Sequence, residues 1–293
     1  MEPVQILRPD LVLVDWGPMT LTISAWAEGE PRPVIAAQAA RAALRLLTIL
    51  ADFQNYLKQP ASELPRDRPA PLVAARARDA AGAVGRGLTP LAAVAGAVAD
   101  ELAQVALELG ADKVIVNNGG DIALRLAPGQ STRVGLRAYE GRQAGMRKES
   151  DAALLGRLNI TAADDIGGVA TSGWEGRSFS QGLADAVNVW APSAALADAA
   201  ATALGNAVNA RIKGVTRKPA REIDPASDLG DTLVTIQVPQ LEPEERAAAL
   251  AAGRAEALKM RDEGILVGCL IVLQGDYALL DRGRRLTLPG ASA

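Results

Sequence analysis

Asp198 and Thr202 stand four residues apart in the run Ala197-Asp198-Ala199-Ala200-Ala201-Thr202. On a helix, positions i and i+4 share a face, so carboxylate and hydroxyl point at one spot, and Asn206 continues that face. The alanines between them leave room for a bulky ligand. Asp and Thr oxygens suit Mg²⁺, which commonly bridges a protein carboxylate and substrate phosphates. A helix start near Ser193 would also favour a nearby anion. The competing reading is a buried Asp satisfied by local hydrogen bonds, or a solvated face, because Leu196, Ala200 and Leu204 already form an apolar stripe.

Three other segments carry groups fit for chemistry. Asn117-Asn118-Gly119-Gly120-Asp121 lies between two apolar runs. Its glycines let the backbone take positive φ and approach a ligand, and its N–H groups can receive phosphate oxygens; an Asn-Gly hairpin turn reads equally well. Thr171-Ser172-Gly173 sets two hydroxyls beside a flexible residue, as many polar turns do. Asp185 precedes an apolar strand, with Arg177 in the Gly/Ser-rich loop before it. That pair could serve as a base and an anion clamp, or as an ordinary surface ion pair.

Composition narrows the chemistry further. The 293 residues include no histidine and one cysteine. This excludes Ser-His-Asp and Cys-His nucleophile systems and His-bearing zinc motifs, so a metal must be held by oxygen and protons moved by Asp, Glu, Lys or Tyr. A net charge of -3 and 3% aromatic residues give neither an electrostatic footprint nor a stacking platform for nucleic acid. The N-terminal MEPVQILRPD lacks the form of a signal peptide, and Leu88–Ala99 and Ile265–Leu273 are too short to span a bilayer. Cys269, inside the second stretch, reads as an inert core thiol. The expectation is a cytoplasmic protein with no membrane or nucleic-acid partner.

Apolar periodicity and turn chemistry predict the elements that must hold these groups. Leu11–Asp15 and Thr20–Ala27 form a hairpin about Asp15-Trp16-Gly17-Pro18, and a helix runs from Pro33 to Tyr56. The proline-rich stretch Gln59–Pro71 is an exposed connection. Helices follow at Pro71–Val84 and from Thr89-Pro90 to about Leu109, the second opened by Thr at N-cap and Pro at N1. Strands are expected at Lys113–Val116, Ile122–Leu126 and Thr132–Ala138, and a long loop over Tyr139–Asp165. Gly167–Ala170 leads into the Thr-Ser-Gly triplet, and Ala186–Trp190 is a strand. A helix opens at Pro192-Ser193 and runs to about Arg211. Strand Thr232–Val238, helix Glu242–Asp262 and hairpin Ile265–Leu273/Tyr277–Leu280 close an α+β chain of mixed or antiparallel sheets packed with Ala-rich helices. It is read as one domain, or as two interlocked α+β lobes.

The order and spacing of Asn118-Gly119-Gly120-Asp121-Ile122, Thr171-Ser172-Gly173 and Ala197-Asp198-Ala199 followed by Thr202-Ala203-Leu204 resemble the ApbE superfamily, whose named activity is FAD:protein FMN transferase. With Thr89-Pro90-Leu91-Ala92-Ala93-Val94-Ala95-Gly96, the whole chain looks closer still to an uncharacterised ApbE-like side branch. The resemblance implies that Asp198 and Thr202 hold Mg²⁺ on the FAD diphosphate. It also implies that Asn118, Gly119, Gly120 and Asp121, with Thr171, Ser172 and Gly173, line the flavin nucleotide site. The implied reaction passes FMN to a Thr or Ser of a partner flavoprotein. Where transferases carry a His-containing segment ending in Asp-Pro, this chain runs Phe179-Ser180-Gln181-Gly182-Leu183-Ala184-Asp185-Ala186. Either the chemistry differs, or Asp185 takes a modified catalytic role. A chain that only binds the nucleotide, as an accessory protein of a metabolic enzyme, is the alternative.

Overall fold

The computed structural model describes residues 2–137, 154–176 and 178–288. They fall into two compact units. Unit 1 takes the described residues up to Ser131 with Thr161–Ala170 and Trp190–Ala199; unit 2 takes those of Thr132–Ile160, Thr171–Val189 and Ala200–Ala293.

Unit 1 is built on β1 (Val4–Arg8), β2 (Leu11–Trp16), β3 (Met19–Ala27), β4 (Glu30–Pro31), β5 (Lys113–Asn118) and β6 (Asp121–Leu126). Its helices are α1 (Pro33–Asp52), the short α2 (Gln54–Leu57), α3 (Leu72–Val84) and α4 (Val94–Glu108). The strands run β1-β2-β3-β5-β6 and pair antiparallel, with β4 on β3. Strict alternation along β3 buries Met19, Leu21, Ile23 and Ala25 on one face. Val12, Val14, Val114 and Val116 bury the same side of neighbouring strands, the period-2 pattern of a half-buried sheet. Helices α1 and α4 cover that face, α4 lying over β5 and β6. Six alanines of α1 and four of α4 are buried, and such small side chains let the helices approach the sheet and each other closely.

The predicted hairpin is present as β2–β3. Thr89-Pro90 opens not the α-helix itself but one 3₁₀ turn, Pro90–Ala93, before α4 starts at Val94. The Gln59–Pro71 connection is less exposed than its prolines suggest. Leu64 packs with Tyr56, Leu57 and Ala74 in a satellite core, and the buried Arg78 donates to the carbonyls of Pro65 and Arg68. Both α1 and the segment Pro90–Glu108 are long and apolar enough to cross a membrane by length and composition.

Unit 2 contains β7 (Ser131–Arg137) and β8 (Leu154–Thr161), most of β10 (Ala186–Ala191), and the latter half of α5 (Ala194–Ala207). Between them, β9 (Gly168–Ser172) begins in unit 1, where it pairs antiparallel with β6. After α5 come β11 (Thr216–Pro219), α6 (Ala220–Ile223), β12 (Leu233–Gln237), α7 (Pro243–Asp262), β13 (Gly268–Leu273), β14 (Asp276–Leu280) and β15 (Leu286–Thr287). β15, β8 and β7 make a three-stranded sheet, and β11 and β12 a two-stranded one. β8 occupies a stretch expected to be loop. Its alternation of apolar and polar residues was masked by the polar run before it, and residues 138–153 lie outside the described residues. Helix α7 begins in a reciprocal capping box between Glu242 and Glu245 and packs on the β13–β14 hairpin. Helix α5 ends at Ala207, four residues short of the predicted Arg211.

Candidate functional site

In unit 1 the chemistry gathers where α4 and α5 begin. The Asp100 carboxylate on α4 accepts the N–H groups of Ala194 and Ala195, 3.2 and 2.9 Å away, at the first turn of α5. Asp198 on α5 returns the favour: its Oδ2 accepts the N–H of Gly96, 3.0 Å away, in the first turn of α4. Each helix thus supplies the anion that caps the other, satisfying donors that a helix start leaves without intrahelical partners. Asp100 is 1% exposed and also takes Arg125 Nη2 at 3.0 Å, which balances its buried charge. Ser193 Oγ accepts Leu196 N–H at 3.2 Å. The start of α5, expected to favour a bound anion, is therefore already served by the protein's own carboxylate and hydroxyl.

The close approach depends on glycine. A Cβ on Gly96 would collide with the carbonyl of Ala194, and one on Gly168 with the Ala194 backbone. The Gly in Thr89–Gly96 is thus a contact requirement of this helix pair.

The Asn117–Asp121 segment forms the two-residue hairpin between β5 and β6, with Asn118 paired to Asp121 and both glycines at positive φ. Asn117 Oδ1 accepts Gly120 N–H at 2.9 Å, and Asn118 Nδ2 donates to the Ala95 carbonyl at 3.0 Å. That second bond fixes the hairpin to the same α4 turn that Asp198 caps. Burial pushes the Asp198 carboxyl well above the usual carboxylate range, and the negative charge of Asp121 adds to the shift, against the pull of the Gly96 and Ala95 N–H groups. Asn118, Gly120, Asp121 and Asp198 therefore share one locality of unit 1. Thr202, half-buried, stands one turn along α5 from Asp198.

Unit 2 holds the other named residues. Thr171 Oγ1 donates to Asn188 Oδ1 at 2.8 Å. Ser172 and the buried Ser180 lie beside Gly205, where a Cβ would sit 3.4 and 3.6 Å from their hydroxyls. Gly173 is pressed on the Asp185 backbone, which leaves no room for any larger residue. Among the described residues Asp185 makes no ion pair. Its Oδ1 accepts the Trp174 indole N–H at 3.3 Å and its Oδ2 the backbone N–H of Gln274 at 2.5 Å. Gln274 sits at φ 46° and Gly275 at φ 87°, so this carboxylate steadies the tight turn between β13 and β14. Burial raises the Asp185 carboxyl above its ordinary range, against those two bonds. Arg177 lies outside the described residues.

A family model described as "AbpE bacteria" matches residues 5–279. The chain belongs to that family. A UPF0280 protein of Methanopyrus kandleri is 44% identical over 120 residues, which is 41% of this chain and 43% of that protein. One of Methanosarcina acetivorans is 37% identical over 192 residues, 64% of this chain and 69% of that protein. The chain spans less than half the length of most curated relatives it matches. Among solved structures, the apo flavinyl transferase ApbE of Pseudomonas stutzeri aligns at TM-score 0.44 and 15% identity, over 89% of this chain and 90% of that one. The ApbE protein of Thermotoga maritima aligns at 0.43 and 12%, over 92% and 96%. The ApbE-like resemblance carried by the motifs, and its closeness to an uncharacterised branch, are borne out at the level of family.

Within this AbpE-family chain, sequence reasoning missed Asp100, Asn188, Trp174 and Gln274. Asp100 had a signal: apart from Asp100 and Glu101 the run Ala95–Ala103 is apolar, and a carboxylate on the buried side of such a helix must find a partner. Asn188 had the same signal within Ala186–Ala191. Trp174 and Gln274 meet Asp185 across long sequence separations that no local pattern records.

Proposed function

We propose that this AbpE-family protein binds a flavin nucleotide, FAD, or a related phosphorylated ligand together with Mg²⁺, acts on it in the cytoplasm, and transfers or hydrolyses its FMN moiety. The relation between Asp121 and Asp198 carries the reading. A carboxyl raised by burial and further by a second carboxylate is an arrangement that a divalent cation relieves. Among the described residues no three His, Cys, Asp or Glu gather as a complete metal cage. That donor set fits Mg²⁺, which is typically held by one or two carboxylates while keeping waters and substrate phosphates. Asp198 and Asp121 would hold it. Bound there, the cation would neutralise diphosphate charge and polarise a phosphoryl oxygen.

The chain's own residues have distinct parts in this reading. Asn118 ties the β5–β6 turn to α4 and so fixes where Gly119, Gly120 and Asp121 present their backbone. Thr171 and Ser172, at the end of β9, with Gly173 after them, would offer their polar groups to ligand in unit 2. Asp185, with its raised carboxyl, would accept the proton of the attacking hydroxyl, and Trp174 and Gln274 would hold it in orientation. The protein partner would be a flavoprotein or another metabolic enzyme. Incubation with FAD and Mg²⁺ should release FMN and AMP, or leave FMN on an added flavoprotein. Neither product nor saturable FAD binding would contradict the proposal.

One observation favours a second reading, a non-catalytic nucleotide-binding accessory protein. Both Asp185 oxygens already accept hydrogen bonds, and the chain contains no histidine to share proton transfer. That reading predicts saturable FAD binding without turnover, and multiple turnovers would exclude it.

A further inference from the structure

The β2–β3 hairpin of unit 1 ends in a large side chain that neither the core nor the proposed site uses. Trp16, at its tip, is 51% exposed. The chain's other three tryptophans are all engaged. Trp190 is fully buried, Trp26 carries the Lys113 ammonium over its ring, and Trp174 donates to Asp185. Among the described residues Trp16 makes no side-chain hydrogen bond and no ring contact. Exposure alone would be ordinary for a single surface residue. Its position is not.

Residues directly opposite each other in an antiparallel pair send their side chains to one face of the sheet. Trp16 is opposite Met19, and Met19 and Leu21 alternate onto the helix-covered face of β3. Leu21 is opposite Asn118, and Asn118 is opposite Asp121. From that face Asn118 reaches the Ala95 carbonyl of α4, and Asp121 lends its charge to Asp198. Trp16, Asn118 and Asp121 therefore share one face at one end of the unit 1 sheet. In the strand order β2-β3-β5-β6, Trp16 lies two strands from Asn118 and three from Asp121. That is about 10 and about 14 Å across the sheet at ordinary strand spacing.

The indole is also presented on a short turn. Only Gly17, at φ 59°, and Pro18 stand between Trp16 and Met19, and a Cβ on Gly17 would lie 3.4 Å from Leu47 of α1. A two-residue turn with proline's fixed φ restricts the backbone that carries the ring.

We propose that Trp16 is the platform on which a planar ring of the nucleotide stacks while its phosphates lie at Asp121 and Asp198. This deepens the proposed function and rests on its assignment of those two carboxylates to the phosphate end. The sugar or ribityl chain that joins ring to phosphate spans the separation the sheet imposes. An indole offers a broad apolar π face, and stacking on such a face accepts any flat ring of similar size. The ligand chemistry is an aromatic ring joined to a diphosphate, for which FAD has two sources, isoalloxazine and adenine.

Calorimetric titration of the full chain with FAD, ADP and inorganic pyrophosphate, each with Mg²⁺, tests it. Trp16→Ala should weaken FAD at least about tenfold, the scale of losing one stacked ring. It should leave pyrophosphate, which has no ring, unchanged, and that equality also shows that the variant is folded. Trp16→Phe keeps a smaller π face and should recover most of the loss. FAD should quench the tryptophan emission of the native protein more than that of Trp16→Phe. If ADP loses as much as FAD in Trp16→Ala, the platform takes adenine; if ADP is unmoved while FAD is weakened, it takes the isoalloxazine. FAD bound as tightly by Trp16→Ala as by the native protein would overturn the platform and leave the flavin reading standing. Equal losses for FAD and pyrophosphate would make Trp16 a support of the turn and overturn it as well. A native protein that does not bind FAD would overturn both.

Discussion

Asp100 and Asp198 cap each other's helices: Asp100, from α4, accepts two N–H groups at the start of α5, and Asp198, from α5, accepts one at the start of α4. The exchange makes one helix pair out of two elements about a hundred residues apart in sequence. It also assigns the two carboxylates different duties. Asp100 is neutralised by Arg125 and belongs to the framework. Asp198 has Asp121 for a neighbour instead of a cation, and its carboxyl is raised by burial first and by that second charge in addition.

Asp100→Ala should therefore be a stability lesion. It leaves two N–H groups of α5 and the Arg125 guanidinium without their acceptor in a buried place, for a loss of about 3–5 kcal/mol. Urea denaturation measures this directly. A loss below about 1 kcal/mol, the range of exposed ion pairs, would show that the cap is dispensable.

Gly96→Ala tests the closeness of the same pair by steric means. The added methyl meets the Ala194 carbonyl, part of a backbone that cannot rotate away. Overpacking of this kind costs about 1–3 kcal/mol, and here it should separate the caps as well. An unchanged denaturation midpoint would mean that the helices have slack.

Asp185 gives a pH dependence with a definite sign. Its carboxyl is raised in the folded protein, chiefly by burial. Its contribution is thus fully present below the unfolded value of about 3.9 and is lost as pH rises through the higher folded value. Asp185→Asn cannot ionise, so its stability should fall less steeply than the native protein's as pH is raised from about 4 to about 7. Parallel stability curves for the two proteins would refute that assignment.

Cys269 is buried in β13, and burial pushes its thiol up to about 12. Because the thiolate is the reactive form, a disulfide reagent near neutral pH should label the protein no faster than it opens. Rapid labelling of the native protein would show that β13 is accessible.

Much of this architecture was written locally in the chain. Apolar runs and turn chemistry marked β2, β3 and β5, helical spacing marked α1 and α3, and α7 was legible as a helix from Glu242 to Asp262. β8 was lost because a polar run hides a short alternating strand. The motif residues were also visible, because Asn118–Asp121, Thr171–Gly173 and Asp198–Thr202 are compact runs of unusual composition. What they touch was not. That Asp185 holds Gln274 and Trp174, or that Asp198 holds Gly96, depends on contacts between distant segments, and one sequence carries no record of such pairings.

The central claim is that Asp121 and Asp198 together hold Mg²⁺ for a phosphorylated flavin ligand. Titration calorimetry of FAD into the native protein, with Mg²⁺ and with a chelator, and into Asp198→Asn and Asp121→Asn, tests it most directly. The asparagine at 198 can still accept the Gly96 N–H, so the fold should persist while the charge is removed. The account predicts saturable binding by the native protein only when Mg²⁺ is present, weakened at least about tenfold, or about 1.4 kcal/mol, in each variant. FAD binding of equal strength with and without Mg²⁺, or in both variants, would contradict it.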